Sequence, residues 1–318
     1  MHHWVIGRGG MLGSSISRGL VNGETEFGEK IRFNWLSQLE AKQQIEAAVE
    51  LFSQKVGNEP WSIFWCAGVG TVTSTDSELL GEEIIVGHLL NALLERFKDR
   101  NRNGALFFSS SAGAMYAGSE SPPMSESTEV VPLSSYGLQK DRLEKLFVSF
   151  SLRSGVRVVV GRIANLYGPL QNRDKGQGLI TSICQQTLLR KPVNIFVGLD
   201  TMRNYIYVDD AAKIATRVMS SIHSKSVATV QTKVVCSLVN HSVSSVLKDC
   251  ESVFGFAPNV VQSEKVNKSA YPRDLRMKSK FELHADNFDH TPLVVGICRV
   301  WQSLLRDQQR GLLVGVKK

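Results

Sequence analysis

The stretch VIGRGGMLGSSISRGL, from Val5 to Leu20, decides the fold. A β-rich run precedes it and apolar residues at helical spacing follow, so its glycines lie at a strand-to-helix junction. Glycine there permits a tight turn, a close approach of the backbone to a pyrophosphate, and close packing of helix on strand. The free N–H groups at the helix start attract the anion. The predicted dinucleotide-binding residues of this turn are Gly7, Arg8, Gly10, Met11, Leu12 and Gly13.

Short β-rich runs and helical stretches alternate through the first half of the chain. The predicted strands are HWVI, IRFNW, SIFWCAG, ALFFSSS and VRVVVGRI. The predicted helices are Met11–Val21, Leu39–Val56, Leu79–Phe97 and Tyr136–Ser154. This alternation predicts an α/β protein with a Rossmann-like, doubly wound parallel sheet.

After Gly168 the alternation stops, and a loop rich in Gly, Pro and Asn follows. We interpret residues 1–168 as the Rossmann domain, to which residues 204–240 return with a strand near Lys233 to Ser237. Residues 169–203 and 241–318 would then form a smaller C-terminal substrate-binding lobe.

Composition excludes several classes of protein. The chain of 318 residues carries a net charge of +7, but its basic residues are scattered and do not form the dense stripe of a nucleic-acid-binding protein. The five cysteines form no CxxC pair, so neither a metal site nor a disulfide framework is indicated. No apolar run is long enough for a membrane span, and no signal peptide is evident. We therefore expect a soluble cytoplasmic protein without a membrane or nucleic-acid partner.

A second motif, SSYGLQKDRLEKLF, places Tyr136 and Lys140 four residues apart at the start of a predicted helix. Residues with this spacing share one helix face, so the Lys140 ammonium would stand near the Tyr136 phenol. A nearby positive charge favours the phenolate and would make the tyrosine a usable base. The alternative is an ordinary amphipathic helix, and the motif alone does not decide between the two.

Together, these segments resemble the extended short-chain dehydrogenase/reductase superfamily, which includes the NAD(P)-dependent nucleotide-sugar epimerases and dehydratases. The GxxGxxG turn and YGLQK carry the resemblance first. FFSSSAGAMYAG, GRIANLYGP and MRNYIYVDDAA then match, in the right order, the serine-bearing strand end and two further segments of that family. The matches run from Trp4 to about Ala212.

The resemblance implies a role for each matching residue. Tyr136 would be the base that moves a proton on or off a sugar hydroxyl, and Lys140 would assist it and bind the nicotinamide ribose. Ser111, or alternatively Ser110, would hydrogen-bond the reacting oxygen. The positions that contact the cofactor also include Ala67 and Gly68. Asn165 and Arg203, with Arg273 or Arg276, would bind the diphosphate of a nucleotide-sugar substrate.

Three departures from the family pattern concern the cofactor side. The run IRFNWLS offers Asn34 and Ser37 where an acid usually holds the ribose hydroxyls of NAD. Arg8 could instead face a 2′-phosphate, which favours NADP and leaves NAD open. The usual strand with an aspartate that contacts adenine is missing before SIFWCAG, so we expect a shortened sheet. Ile84 replaces an expected asparagine.

The comparison with the family pattern also reduces the number of reactions to expect. Ala112 and Gly113 follow Ser111 where a sugar dehydratase of this family carries an acid pair, so water elimination is disfavoured. Epimerisation of a nucleotide-linked sugar through transient oxidation remains, with a ketosugar reductase or dehydrogenase as the alternative. A non-catalytic NAD(P)-binding sensor is a third hypothesis. The family habit also implies a homodimer through the helices Leu79–Phe97 and Tyr136–Ser154, and a place in polysaccharide biosynthesis.

Overall fold

A computed structural model describes residues 1–20, 25–28, 31–35, 37–68, 70–71, 74–97, 103–171, 178–262, 272–280 and 286–312. The strands are β1 (His2–Ile6), β2 (Thr25–Phe27), β3 (Trp61–Trp65), β4 (Gly104–Ser111), β5 (Arg157–Ile163), β6 (Asn165–Tyr167), β7 (Val193–Ile195), β8 (Met202–Tyr207), β9 (Val230–Val235), β10 (Asn240–Ser242), β11 (Val260–Gln262) and β12 (Asp274–Leu275). The helices are α1 (Met11–Gly19), α2 (Gln38–Val56), α3 (Asp76–Phe97), α4 (Ala112–Met115), α5 (Ser135–Ser154), α6 (Leu179–Leu188), α7 (Val208–Ile222), α8 (Val243–Phe254) and α9 (Leu293–Gln309).

The main sheet is parallel and covered by helices on both faces, so the prediction of a Rossmann-like, doubly wound α/β fold is confirmed. Within the described residues its order is β2-β1-β3-β4-β5-β9, and each neighbouring pair is parallel. Helices α2, α3 and α5 bury their apolar residues against one face, and α1 and α7 cover the other. Such a sheet binds ligands beyond the carboxyl ends of its strands.

The predicted second strand is wrong. The strand that pairs with β1 is Thr25–Phe27, whereas the run IRFNW is irregular at Ile31–Trp35. Gly28, at φ +75°, ends the strand, and a side chain there would press on Trp4. Phe33 and Trp35 then pack onto the core without pairing to a strand. A run of β-branched and aromatic residues reports burial as much as pairing, which explains the error.

The described residues contain no strand beyond β2 at this edge of the sheet. Only the helix α2 lies between β2 and β3 in the described part of the crossover. The side chain of Ser37 starts α2 by accepting the N–H of Glu40. The expectation of a shortened sheet therefore agrees with the strand order.

An aromatic cluster fills the core beneath this edge. The edge of Phe27 faces the ring of Trp4, and Trp4 and Phe27 both lie about 5 Å from Phe52 between ring centroids. Trp35 contacts Trp65 edge-on, at a centroid distance of 6.1 Å. Trp61 completes the group of tryptophans in this core. Large aromatic rings bury much apolar surface, so the cluster stabilises the core at this edge.

The remaining described strands form a four-stranded and a two-stranded sheet. Strand β8 lies between β10 and β12 and also pairs in parallel with β6, which directly follows β5. Helices α6, α8 and α9 pack around a third apolar cluster in this half. Strand β9, which belongs to the segment 204–240, pairs with β5 in the main sheet.

The first turn of α7 joins these parts. Asp209 accepts a hydrogen bond from the Ser15 hydroxyl of α1 at 2.5 Å, and Asp210 accepts the N–H of Thr291 at 2.7 Å. Among the residues described, no helix combines the length and apolar character that crossing a bilayer requires.

Candidate active site

The predicted site residues gather at one edge of the main sheet because its strands are parallel and in register. Ile6 pairs with Trp65, Trp65 with Phe108, and Ser111 with Ile163. The glycine turn after β1, the segment after β3, and the serines that end β4 therefore share the carboxyl edge. Asn165 lies just beyond β5 at the same edge.

The glycine turn has the geometry of a phosphate cradle. Gly7 lies at φ +93°, and a Cβ on it would come within 2.4 Å of the Ala67 backbone nitrogen. A Cβ on Gly13 would come within 2.3 Å of the Gly7 carbonyl oxygen. Gly10 precedes α1 and donates its N–H to the Gly7 carbonyl at 2.9 Å. The turn tolerates no side chain at Gly7 or Gly13, and it directs the amino end of α1 outward, as dinucleotide binding requires.

The other residues predicted in this turn lie around it. Met11 opens α1, and its sulfur faces Gly168 across the site. Leu12 is buried in the core beneath the turn. Ala67 and Gly68 follow β3 directly, next to Cys66, whose thiol pKa is raised by burial. A thiol with a raised pKa stays neutral and is a poor nucleophile, which argues against a catalytic role for Cys66.

Arg8 has a carboxylate partner that the sequence did not predict. Its guanidinium nitrogen lies 3.6 Å from a carboxylate oxygen of Glu26, in the middle of β2. The Ser17 hydroxyl of α1 donates to the same oxygen at 2.8 Å. The expectation that the second strand lacks a carboxylate is therefore wrong, because it placed that strand at IRFNWLS. Glu26 lies opposite His3, below the strand's carboxyl end.

Tyr136 and Lys140 occupy the first turns of α5, which begins where the Ser134 hydroxyl accepts the Gly137 N–H. The Lys140 ammonium nitrogen lies 5.5 Å from the centroid of the Tyr136 ring. A Cβ built on Gly70 would lie 3.3 Å from the Tyr136 ring, so the segment after β3 passes beside it. The two side chains therefore share one face of α5, as the spacing predicts, and the Tyr136 ring lies beside Gly70.

Ser111 and Ser110 have different surroundings. The Ser110 hydroxyl is buried and donates at 2.6 Å to Glu144, which is the buried partner of Arg162. The Ser111 hydroxyl caps α4 by accepting the Ala114 N–H at 3.3 Å, and it keeps a proton to donate. A Cβ on Gly137 would clash with the Ala114 carbonyl at 2.8 Å, so the absence of a side chain there lets α5 approach α4. The arrangement favours Ser111.

The Lys140 ammonium contacts a buried carboxylate that sequence reasoning missed. Its Nζ lies 3.0 Å from Glu82 Oε1, and both side chains are almost completely buried. Burial opposes the charge on Lys140, but Glu82, Tyr136 and Glu144 outweigh it and raise the pKa of Lys140. Glu82 lies in α3, two residues before Ile84. The signal for it in the sequence was an acidic residue on an otherwise apolar helix face.

The predicted substrate-binding residues lie around β8. The Asn165 amide donates to the Asn204 carbonyl at 2.9 Å and so ties β6 to β8. The side chain of Arg203 is half-buried and donates to the carbonyl of Met202, and burial lowers the pKa of its guanidinium. Tyr205 and Asp274 act against this shift.

The two candidates for a further arginine are both paired. Arg273 forms an ion pair with Asp200, and 79% of its side chain is exposed. Arg276 forms an ion pair with Asp274 at 2.8 Å, close to Arg203 on the neighbouring strand. Within the described ranges, no group of His, Cys, Asp or Glu side chains is arranged to hold a metal ion.

Comparison with known proteins agrees with this geometry. The sequence model of the NAD dependent epimerase/dehydratase family matches residues 4–230. An uncharacterized UDP-glucose epimerase of Bacillus subtilis is 31% identical over 134 residues, which are 42% of this chain and 40% of that protein. A dTDP-4-dehydro-6-deoxyglucose reductase of Escherichia coli is 32% identical over 36% of each chain. The matches thus span about two fifths of the length of these curated relatives.

Solved structures share the whole fold. The UDP-glucose 4-epimerase of Thermotoga maritima, solved with UDP-glucose, superposes with a TM-score of 0.78 at 21% identity, covering 97% of this chain and all of that one. RMD of Pseudomonas aeruginosa, solved with NADPH, gives a TM-score of 0.73 at 18% identity, covering 95% and 98% of the two chains. With the family match over most of the chain, the glycine turn and the parallel sheet identify this protein as a member of the NAD dependent epimerase/dehydratase family.

Proposed function

We propose that this protein catalyses the NAD(P)-dependent epimerisation of a nucleotide-linked sugar by transient oxidation. The observation that carries the proposal is the placement of Tyr136 and Lys140 on one face of α5, beside Gly70 and at the edge that holds the glycine turn. The pair combines a proton-transferring phenol with a fixed ammonium. The names of the Bacillus and Thermotoga proteins support the choice of an epimerase.

The glycine turn fits the dinucleotide. Gly7, Gly10, Gly13 and the amino end of α1 would hold its pyrophosphate, and Ala67 and Gly68 would line the path toward Tyr136. Bound NAD or NADP supplies the acceptor and donor of a hydride. Arg8 favours NADP, since an arginine pairs well with a 2′-phosphate. The Glu26 carboxylate, 3.6 Å from Arg8, acts against that preference.

In the mechanism, Tyr136 takes the proton from a ring hydroxyl of the sugar and later returns it. Ser111 donates a hydrogen bond to the same oxygen and orients it. Lys140 stabilises the phenolate through its charge and would bind the ribose of the dinucleotide. The carbon that carries this hydroxyl would give its hydride to the bound dinucleotide, leaving a keto sugar. Return of that hydride to the opposite face of the carbonyl carbon, with the Tyr136 proton returned to the oxygen, would give the epimer.

Arg203 is suited to the diphosphate of the substrate. Its side chain is half-buried, while the nearby Asp274 forms its own ion pair with Arg276. A partly buried cation gains from an anionic ligand, and a guanidinium pairs with two phosphate oxygens at once. Asn165 would fix the backbone of β8 beneath it, and Arg273 would contact the substrate from the exposed side.

A second candidate is reduction of a nucleotide-ketosugar. The Escherichia coli relative is named as a reductase, and the RMD structure contains NADPH. Its chemistry would use the same Tyr136, Lys140 and Ser111. The two reactions differ in the fate of the cofactor, because a reductase consumes one reduced dinucleotide in each turnover.

The test is turnover on a panel of UDP-, GDP- and dTDP-sugars with NAD or NADP supplied, following both the product sugar and nicotinamide absorbance. Conversion without net change of the cofactor, absent in Tyr136→Phe, supports the epimerase. Stoichiometric consumption of the cofactor supports the reductase. Dinucleotide binding without turnover on any sugar of the panel would leave two alternatives, a substrate outside the panel or the non-catalytic sensor.

We also infer a homodimer. Helices α3 and α5 pack together and expose Leu80 and Ile84 on one, and Leu138 and Leu146 on the other. Such a patch favours burial against a second copy. Sedimentation should give twice the chain mass, and Leu138→Glu should shift it to the monomer. A monomer in the unaltered protein would contradict the inference.

A further inference from the structure

A carboxylate is buried against the proposed catalytic lysine. The side chain of Glu82 is 5% exposed and that of Lys140 is 6% exposed, with 3.0 Å between Oε1 and Nζ. The pair joins α3 to α5. Glu82 matches none of the roles in the proposed proton transfer, so its place beside Lys140 calls for a different explanation.

The second oxygen of Glu82 reaches the segment after β3. Oε2 accepts the N–H of Gly70 at 3.3 Å, and a Cβ built on Gly68 would lie 3.1 Å from Oε1. Gly70 also borders the Tyr136 ring. A single carboxylate therefore fixes the lysine and the backbone segment that flanks the tyrosine.

The surroundings of Lys140 would not hold a charge without Glu82. The Lys140 ammonium nitrogen lies 5.4 Å from the centroid of the Phe108 ring in β4 and 5.5 Å from the centroid of the Tyr136 ring in α5. Glu144 is the other nearby carboxylate on α5, but it forms an ion pair with Arg162 at 2.7 Å. An ammonium buried without a counter-ion tends to lose its proton.

We propose that Glu82 is a positioning residue that keeps Lys140 charged and holds it beside Tyr136 and the segment after β3. The proposal rests on the function proposed above, because it assigns Lys140 its part in that reaction. Glu82 itself transfers no proton and contacts no reacting atom. Its effect reaches the reaction only through the charge and place of Lys140.

The first test measures Lys140 directly, in protein without dinucleotide or sugar. With ¹³C-labelled lysine, the Cε signal lost in Lys140→Arg identifies Lys140. In the unaltered protein this signal should stay at its charged position up to about pH 10. In Glu82→Gln it should move to its neutral position, with a midpoint at least about one pH unit lower.

The matched control is Glu83→Gln, the next residue, whose carboxylate pairs with the half-exposed Arg142 at 2.5 Å. It should leave the Lys140 midpoint unchanged. Glu82→Asp keeps the carboxylate but moves it away from Lys140 by one methylene group. Its Lys140 midpoint should therefore fall between those of the unaltered protein and Glu82→Gln. An unaltered midpoint in Glu82→Gln, or in Glu82→Asp should the first variant not fold, overturns the proposal.

The second test is the affinity for NAD and NADP as a function of pH, measured by calorimetry. Affinity in Glu82→Gln should fall as the pH rises through the lowered Lys140 midpoint, whereas Glu83→Gln should follow the unaltered protein. Superimposable profiles for Glu82→Gln and the unaltered protein overturn the proposal. If the unaltered protein binds neither dinucleotide, the proposed function fails, while the lysine titration still decides the role of Glu82.

Discussion

The two ends of the candidate dinucleotide cleft contrast with each other. At the proposed catalytic end, between β4 and α5, the side chains of Tyr136 and Lys140 share one helix face, as their spacing predicts. At the other end, the pattern holds only in part: β2 carries the acidic Glu26, but within the described residues no further strand extends the sheet beyond β2. An irregular aromatic segment covers that edge.

The difference shows which constraints are strict. Proton and hydride transfer depend on distances between a few atoms, so the residues of the catalytic end have few substitutes. Binding an adenosine needs only apolar surface and a few polar contacts, which many side chains can supply. The β2 edge can therefore change its strand count and keep a core, to which Phe33 and Trp35 contribute without pairing to a strand.

The largest expected effect is at the catalytic end. Tyr136→Phe removes the proton-transferring oxygen and keeps the ring, so turnover should fall by about 10²- to 10⁴-fold. Dinucleotide affinity measured by calorimetry should change little. Lys145→Met, which alters an exposed lysine of the same helix, serves as the control and should retain activity. Undiminished turnover in Tyr136→Phe would refute the assignment of the base.

The second-largest effect is expected at the glycine turn, which would hold the pyrophosphate between the two ends of the dinucleotide. In Gly13→Ala the new methyl carbon would lie 2.3 Å from the Gly7 carbonyl oxygen, so the turn must open. We expect a loss of stability of about 1–3 kcal/mol and loss of dinucleotide binding. Thermal unfolding and calorimetry measure the two. Gly9→Ala is the control, because a Cβ there meets no atom within 4 Å.

Should Gly13→Ala bind dinucleotide as well as Gly9→Ala does, the phosphate cradle lies elsewhere in the molecule. Equal stability of the two variants would likewise contradict the close approach of α1 to β1 that the turn provides.

The smallest effect is expected at the β2 edge. Glu26→Gln removes the negative charge beside Arg8 and should improve the affinity for NADP relative to NAD by up to about fivefold. This limit follows from the value of about 1 kcal/mol for a partly exposed ion pair. Ser17→Ala, which removes a hydrogen bond to Glu26 but keeps its charge, is the control. Dissociation constants for both dinucleotides measure the ratio.

An unchanged ratio in Glu26→Gln would mean that Arg8 does not face the 2′ position. The preference for NADP, which rests on Arg8, would then lose its support.

Sequence reasoning succeeded where local patterns carry the information. The Gly7 turn, the helix that bears Tyr136, and the alternation of strands and helices each depend on residues close together in the chain. It failed at Ile31–Trp35, where apolar β-formers pack as an irregular segment, because pairing depends on distant partners. Glu82 was missed for the same reason, since its partner Lys140 is 58 positions away in sequence. The acidic residue on an apolar helix face was visible in the sequence, but periodicity does not show which distant residue it pairs with.

The aromatic core beneath the β2 edge has an optical consequence. Of the five tryptophans in the chain, Trp4, Trp35, Trp61 and Trp65 belong to that core, and Trp301 packs in the C-terminal half. Intrinsic fluorescence will thus originate mainly in the dinucleotide-binding half, with Trp65 immediately before the segment that leads to Gly68. A reduced nicotinamide absorbs where indole emits, so its arrival will quench this light. Tryptophan fluorescence will therefore report cofactor occupancy, and Trp301→Phe will remove the emission that comes from the C-terminal half.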